Sequence, residues 1–234
     1  LTSRAAKGFI FVTDPQAWLF EAMVTSRGGS LVQDDRPNFT SREAVAALEM
    51  LYRLKEAGAL SVRSMAEATF AQLDFVRTKG MMVMASIANW PAAENFSFAF
   101  ALGVAPVPRE EGGKVPMGGA QLVVLTGASA AQARGAVAFW KYLMEPENVA
   151  RWREGCYAVP LRKSARPRLE GCYRGNPFRK VAFEQVAHAQ ERPRLSQFSA
   201  WARVLAEALE RSLKGGVPPR KALEEAQRKA EAMR

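Results

Sequence analysis

Apolar positions along the chain come in two rhythms. Gly8-Phe9-Ile10-Phe11-Val12 is a short unbroken apolar run rich in β-formers and predicts a strand, after which Asp14-Pro15 opens a helix carrying Trp18, Phe20 and Met23. Gly28-Gly29 ends that helix. Thr40-Ser41-Arg42-Glu43 has the form of a capping box, and Val45, Leu48, Leu51, Leu54 and Leu60 follow at helical spacing, with Gly58 as the stop signal. A further helix is expected over about 66–79, broken by Gly80. Met81-Met82-Val83-Met84-Ala85 then has the continuous apolar character of a buried strand. Asn89-Trp90-Pro91 opens another helical turn.

Downstream, Phe96 to Pro108 reads as a strand leaving in extended conformation, because Pro106 and Pro108 forbid helix. Residues 110–119 form a polar, Gly-rich loop and Gln121 to Leu125 another strand. Ser129-Ala130-Ala131-Gln132 is a second capping box, leading a helix with Val137, Phe139, Trp140 and Leu143. Pro146 restarts a helix that runs through Trp152 to Gly155. The remainder predicts helices over 178–189, 199–214 and 218–233, the last two separated by Gly215-Gly216. Strands interleaved with helices give an α/β class, a layered sheet flanked by helices, with the helix-rich tail as a docked cap.

At 234 residues and 48% hydrophobic content the chain is long enough for one large domain or two small ones. Its net charge of +10 admits a nucleic acid, an anionic membrane surface or a negatively charged small ligand as partner. Lys and Arg are spread along the chain and alternate with Glu, notably over 211–234, so nucleic-acid binding is the lesser alternative. Two cysteines and one histidine cannot build a His/Cys zinc site, and no metal or other cofactor is expected. Cys156 and Cys172, each in a Gly-Cys-Tyr triplet, either close a short loop in an oxidising compartment or remain half-buried thiols. No apolar run reaches the roughly 18 residues of a membrane span. Leu1 is neither a methionine nor the start of a secretory signal, so an export signal is expected upstream or removed. Catalysis is not expected: there is no Gly-x-Ser-x-Gly elbow, phosphate loop or His-Glu-x-x-His, and His188 has no evident nucleophile partner. Low Asn and His usage with abundant Arg, Ala and Glu suggests a thermophilic source.

Several segments stand in a particular order. They are Gly28-Gly29-Ser30-Leu31 with Asp34-Asp35 and the helix to Leu60, the passage Phe75 to Met84, and Gly103-Val104-Ala105-Pro106-Val107-Pro108. Gly118-Gly119 before a strand, Phe139 to Trp152 with Pro146-Glu147-Asn148, Gly155-Cys156-Tyr157-Ala158-Val159-Pro160, and Gly215 to Leu223 complete the series. In that order they resemble the extracellular solute-binding proteins of ABC importers, the family that includes maltose and glycerol-3-phosphate binders. Tyr173-Arg174-Gly175-Asn176-Pro177 is similar to an element of the glycerol-3-phosphate subgroup.

The resemblance implies a periplasmic-binding-protein-like fold of the class II type, mainly its C-terminal lobe with extra C-terminal helices. Residues 1–104 and 161–234 would form that lobe, and 105–160 would belong to an N-terminal lobe whose sheet is otherwise missing. That segment should then need the missing half or a second copy of the chain. The implied function is extracytoplasmic, non-catalytic capture of a sugar or polyol phosphate for an ABC permease. A truncated remnant without ligand is the other alternative.

A cleft for such solutes needs flat apolar faces, amides and hydroxyls, and cationic donors for phosphate. Trp18, at a helix start after a strand, is a candidate stacking platform or a core tryptophan. Ser86, Asn89 and Trp90 follow a strand and, by the resemblance, line the cleft; ordinary helix capping is the competing role for Ser86 and Asn89. Gly118 and Gly119 permit close backbone approach to a ligand or simply a tight turn. Tyr157 matches the family's cleft tyrosine. Arg203 is the candidate phosphate partner, with Arg192 and Arg194 as weaker ones.

Overall fold

In the computed structural model, residues 8–13, 17–96, 100–156 and 158–233 are described, with the backbone alone for Met65, Trp90, Ala92 and Phe96. β1 (Phe9–Thr13) buries Ile10, Phe11 and Thr13. The chain then turns at Ala17, whose φ of 48° is left-handed, into α1 (Trp18–Thr25); residues 14–16, expected to open this helix, lie outside the described set. β2 (Val32–Gln33) and β3 (Arg36–Pro37) form a hairpin through Asp34 and Asp35, both at positive φ, where Asp is tolerated. α2 (Arg42–Glu56) is capped by Ser41, whose Oγ accepts the Ala44 N–H at 3.3 Å. The cap therefore falls one residue after the expected Thr40, and no reciprocal box forms.

Gly58, at φ 66°, ends α2 and releases the chain into β4 (Leu60–Ser64). Leu60 thus belongs to a strand that helical spacing had absorbed. A Cβ at Gly8 would meet the Ala59 carbonyl, so glycine lets β1 enter beside β4. α3 (Ala68–Val76) leads to β5 (Met82–Val83), two residues where five were expected, with Met81 and Met82 exposed rather than buried. The three strands make a parallel sheet of order β4-β1-β5. The crossover from β1 goes to one side and the next returns past β1 to the other, placing a topological switch point between β1 and β5.

α4 (Trp90–Phe96) follows as expected. The expected strand over 96–108 is absent among its described residues, and a short strand the sequence reading missed, β6 (Val115–Met117), falls in what was taken for loop. Gln121 to Leu125 carries no ladder and lies exposed. α5 (Ala130–Leu143) starts at Ser129 in a complete capping box with Gln132. α6 (Pro146–Cys156), α7 (Arg166–Gly175) and α8 (Val181–Glu184) follow, then β7 (Ala189–Glu191), parallel to β6. The helix expected over 178–189 is thus broken into α8, 3₁₀ turns and the start of a strand. α9 (Phe198–Leu213) and α10 (Pro219–Glu231) end the chain.

Residues 1–85, 107–117 and 188–234 form one compact unit, and 86–106 with 118–187 form another. The division differs from the expected lobes, since 86–104 and 161–187 group with the middle of the chain. The first unit holds the main core, where Phe11, Phe20, Leu48, Leu51, Leu205 and Leu209 are buried together. α9 and α10 are part of that core rather than a cap laid upon it. Gln227 of α10 ties the tail to β3, accepting the Phe39 N–H at 2.8 Å and donating to the Pro37 carbonyl at 2.6 Å. In the second unit only a small cluster around Val149, Ala150, Ala165 and Leu169 is buried among the described residues. No helix of the described residues is long and apolar enough to cross a membrane.

Candidate functional site

Open α/β sheets bind ligands outside the carboxyl ends of their strands, at the switch point. In the first unit that edge carries Thr13, Trp18 and Ser64. Thr13 is buried and its Oγ1 donates to the Arg63 carbonyl at 3.2 Å, locking β1 to β4. Trp18 is half-buried at the first position of α1, with the Arg192 guanidinium 4.6 Å from its ring centre. Arg192 also lies 5.2 Å from the Phe198 ring and donates Nε to Oε2 of buried Glu21 at 2.8 Å. A planar cation packed against two aromatic rings and fixed by a carboxylate holds the tryptophan in place. Arg194, on the same loop, is exposed and bonded to Glu191 at 2.6 Å.

The same edge holds a charge network. Glu67 accepts from the Ser64 N–H at 3.1 Å, the Ser64 hydroxyl at 2.9 Å and Lys214 Nζ at 3.0 Å. These bonds, the Ser64 backbone first, hold its pKa down at about 2. Arg63 bridges to Asp74 through Nε and Nη2 at 3.2 and 2.5 Å, which lowers the Asp74 pKa. Every side chain in this network is engaged, so it orders the edge rather than offering an open charge.

Other expected site residues fall elsewhere. Ser86 and Asn89 are exposed in the second unit, where the Ser86 hydroxyl accepts the Ala88 N–H at 3.3 Å, a local turn contact. Trp90 begins α4, its side chain outside the described set, as is the whole of Tyr157. Gly118 and Gly119 are exposed, and a Cβ at Gly119 would meet nothing. Arg203 is exposed on α9, on the side away from the buried Trp201 and Leu205. Cys156 and Cys172 are both free thiols, so the loop-closing bond is not formed. Arg179 donates Nη1 to the Cys172 sulfur at 3.0 Å.

Sequence reasoning ranked one arginine low and passed over another. Arg192 ranked low because nothing in a Pro-flanked loop announces a partner 171 positions away in Glu21. Arg153 of α6 has a buried Nη1 with no hydrogen-bond partner, and burial pulls its pKa down. It was one among 33 Lys and Arg residues, with no local signal to single it out. No group of three or more His, Cys, Asp or Glu suited to a metal occurs among the described residues.

The sequence profile of the family described as bacterial extracellular solute-binding protein matches residues 3–171, and the chain belongs to that family. It is 28% identical over 158 residues to the sn-glycerol-3-phosphate-binding periplasmic protein of Pectobacterium atrosepticum, a match covering 63% of this chain and 35% of that protein. The fold is shared with UgpB of Mycobacterium tuberculosis in complex with glycerophosphocholine, at a TM-score of 0.85 and 20% identity over 97% of this chain and 58% of that one. It is also shared with an ABC transporter solute-binding protein from Thermotoga lettingae bound with α-D-tagatose, at a TM-score of 0.80 and 19% identity over 99% and 60%. The architecture is that of periplasmic sugar-binding proteins, and the chain spans only about a third to three-fifths of these relatives' length.

Proposed function

We propose that the chain is part of the solute-capturing component of an ABC importer, acting outside the cytoplasm and delivering its ligand to a permease without bond chemistry. The observation that carries this reading is the braced tryptophan at the carboxyl edge of the sheet. Trp18, held by Arg192 against Glu21, is a flat apolar face fixed where α/β folds place their ligands. The solute is a polyol phosphate of the glycerol 3-phosphate type. The relative named for sn-glycerol 3-phosphate and the structure holding glycerophosphocholine support that choice over a neutral sugar, as does the net charge of +10. Arg194 and Arg203, both exposed, are the candidates to meet the phosphate.

A thermal-shift titration tests the reading, because a ligand that binds only the folded state raises the melting temperature. Glycerol 3-phosphate, glycerophosphocholine, maltose and tagatose are compared on the chain alone and on the chain joined to the part of the glycerophosphocholine-bound relative that lies outside the match. The expected result is a rise with the glycerol phosphates that Trp18→Ala removes. A rise with the sugars alone overturns the ligand class, and no rise with any solute on the joined protein overturns solute capture itself.

A further inference from the structure

The cations are spread along the chain, but the acids that would balance them are not. Between 151 and 180 nine Lys and Arg stand against two Glu, which places a net +7 of the chain's +10 in 30 residues. These residues belong to one packed piece of the second unit. α6, the 3₁₀ turn Lys163–Ala165, α7 and the 3₁₀ turn Pro177–Lys180 pack on one another, with Val149, Ala150, Ala165 and Leu169 buried among them. Ala165 and Leu169 turn inwards, whereas Arg162, Lys163, Arg166, Arg168 and Arg174 are all exposed. The ion pairs of this piece are Arg179 with Glu94 and Lys180 with Glu184; among the described residues none of the five exposed cations forms one. Arg162 instead donates to the Met144 carbonyl at 2.6 Å, and the Arg166 guanidinium lies 5.3 Å from the Phe183 ring centre. Glu170 is the one acid between 162 and 174.

We infer that α7 and the turn before it form an electrostatic contact surface for an anionic phospholipid bilayer, met at its headgroup phosphates without insertion into the hydrocarbon. What the surface lacks chooses the partner. A stable protein interface has a centre depleted of charge and enriched in large apolar side chains, and none of these is exposed between 162 and 177. Single-stranded nucleic acid needs aromatic faces for its bases, and Tyr173, the one aromatic residue here, is half-buried and stacked on Phe183. The family is extracellular, which leaves a membrane as the extended anionic surface within reach. Four of the five cations are arginines, whose planar forks match phosphate oxygens. Each Lys or Arg near an anionic surface adds about fivefold in affinity, so five of them less Glu170 give a preference of the order of several hundred-fold over a neutral bilayer at low salt. Most of it is lost as salt shortens the screening length from about 14 Å at 0.05 M to about 4 Å at 0.5 M. The inference stands on charge, exposure and the family's location, not on the solute.

Co-sedimentation of the chain with vesicles of phosphatidylcholine, with and without about 30% phosphatidylglycerol, tests this. The expected result is binding to the anionic vesicles about 100-fold tighter than to the neutral ones at about 0.05 M salt, and weaker by about tenfold or more at about 0.5 M. The triple variant Lys163→Glu, Arg168→Glu, Arg174→Glu should keep the melting temperature and bind about 50-fold more weakly. Arg220→Glu, Lys221→Glu and Lys229→Glu together, on α10, change the net charge by the same amount and should cost less than about fivefold. If the first triple unfolds, the corresponding alanine triple takes its place, with an expected loss of about tenfold or more. No preference for the anionic vesicles, a preference that survives high salt, or equal losses from the α7 and α10 triples overturns the proposal. So does binding to a mixed-sequence oligonucleotide that is tighter than to the vesicles and is lost in the α7 triple, which would make a nucleic acid the partner of this surface.

Discussion

Arg192 does more in the structure than its loop position announces. Its guanidinium fills the space between Trp18 and Phe198, and Nε neutralises Glu21, whose side chain is 5% exposed. Removing it takes away a cation 2.8 Å from a buried carboxylate, so Arg192→Met is expected to destabilise the chain by about 2 kcal/mol in urea melts. Arg192→Lys should recover less than half of that, because an ammonium cannot both stack and bond in one plane. Glu67 gives the opposite kind of test, at the surface. Its folded pKa of about 2 lies below the ordinary 4.5, so its contribution is present above pH 4.5 and lost as pH falls towards 2. The depressed Asp74 and Glu225 carboxyls act in the same direction. The melting temperature should therefore fall between pH 5 and pH 2, and Glu67→Gln should shallow that fall; an unchanged profile would remove Glu67 from the network. At the alkaline end the raised Lys214 and Arg63 lose their contribution only above their ordinary values, for Lys214 above 10.5.

At the scale of elements, two serine caps have different consequences. Ser41 caps α2, whose Leu48 and Leu51 sit in the main core, and Ser129 caps α5, which buries nothing. Ser41→Ala is expected to cost about 1 kcal/mol and lower the main melting transition by 2–4 °C. Ser129→Ala should leave that transition where it is, and equal losses from the two would mean that α5 is coupled to the core. The helices were legible because their signals are local: a cap, a 3.6 period and a glycine stop. α5, α9 and α10 came through with boundaries nearly intact. The strands were less legible. β4 was hidden because Leu60 continues the helical spacing of α2 past Gly58. β6 holds two apolar residues around a proline and is a strand only because β7 pairs with it. Gln121–Leu125 is the converse, a strand by every local measure that pairs with no neighbour among the described residues. Of the candidate site, the position of Trp18 at a helix start after a strand was readable, whereas its contact with Arg192 depends on packing between distant segments and leaves no mark in either one.

At the scale of the molecule, the first unit is assembled from three separate stretches of sequence, 1–85, 107–117 and 188–234. Its integrity therefore depends on contacts between stretches, β6 against β7 and α9 and α10 against α2, and not on an unbroken chain through the second unit. Limited trypsin supplies the test. Arg134 and Lys141 lie in α5, in a stretch where no residue is buried, so cleavage should fall there first. A cut at Arg134 separates α2 from α9 covalently while leaving the core they share intact. The nicked protein should give two bands in a denaturing gel yet elute as one species in native chromatography. Its melting temperature should drop by several degrees and become concentration-dependent, because refolding is now bimolecular. Fragments that separate under native conditions would mean that the second unit carries the stability of the first. Cleavage that begins in α2 or α9 would place the weak point of the chain in the core instead.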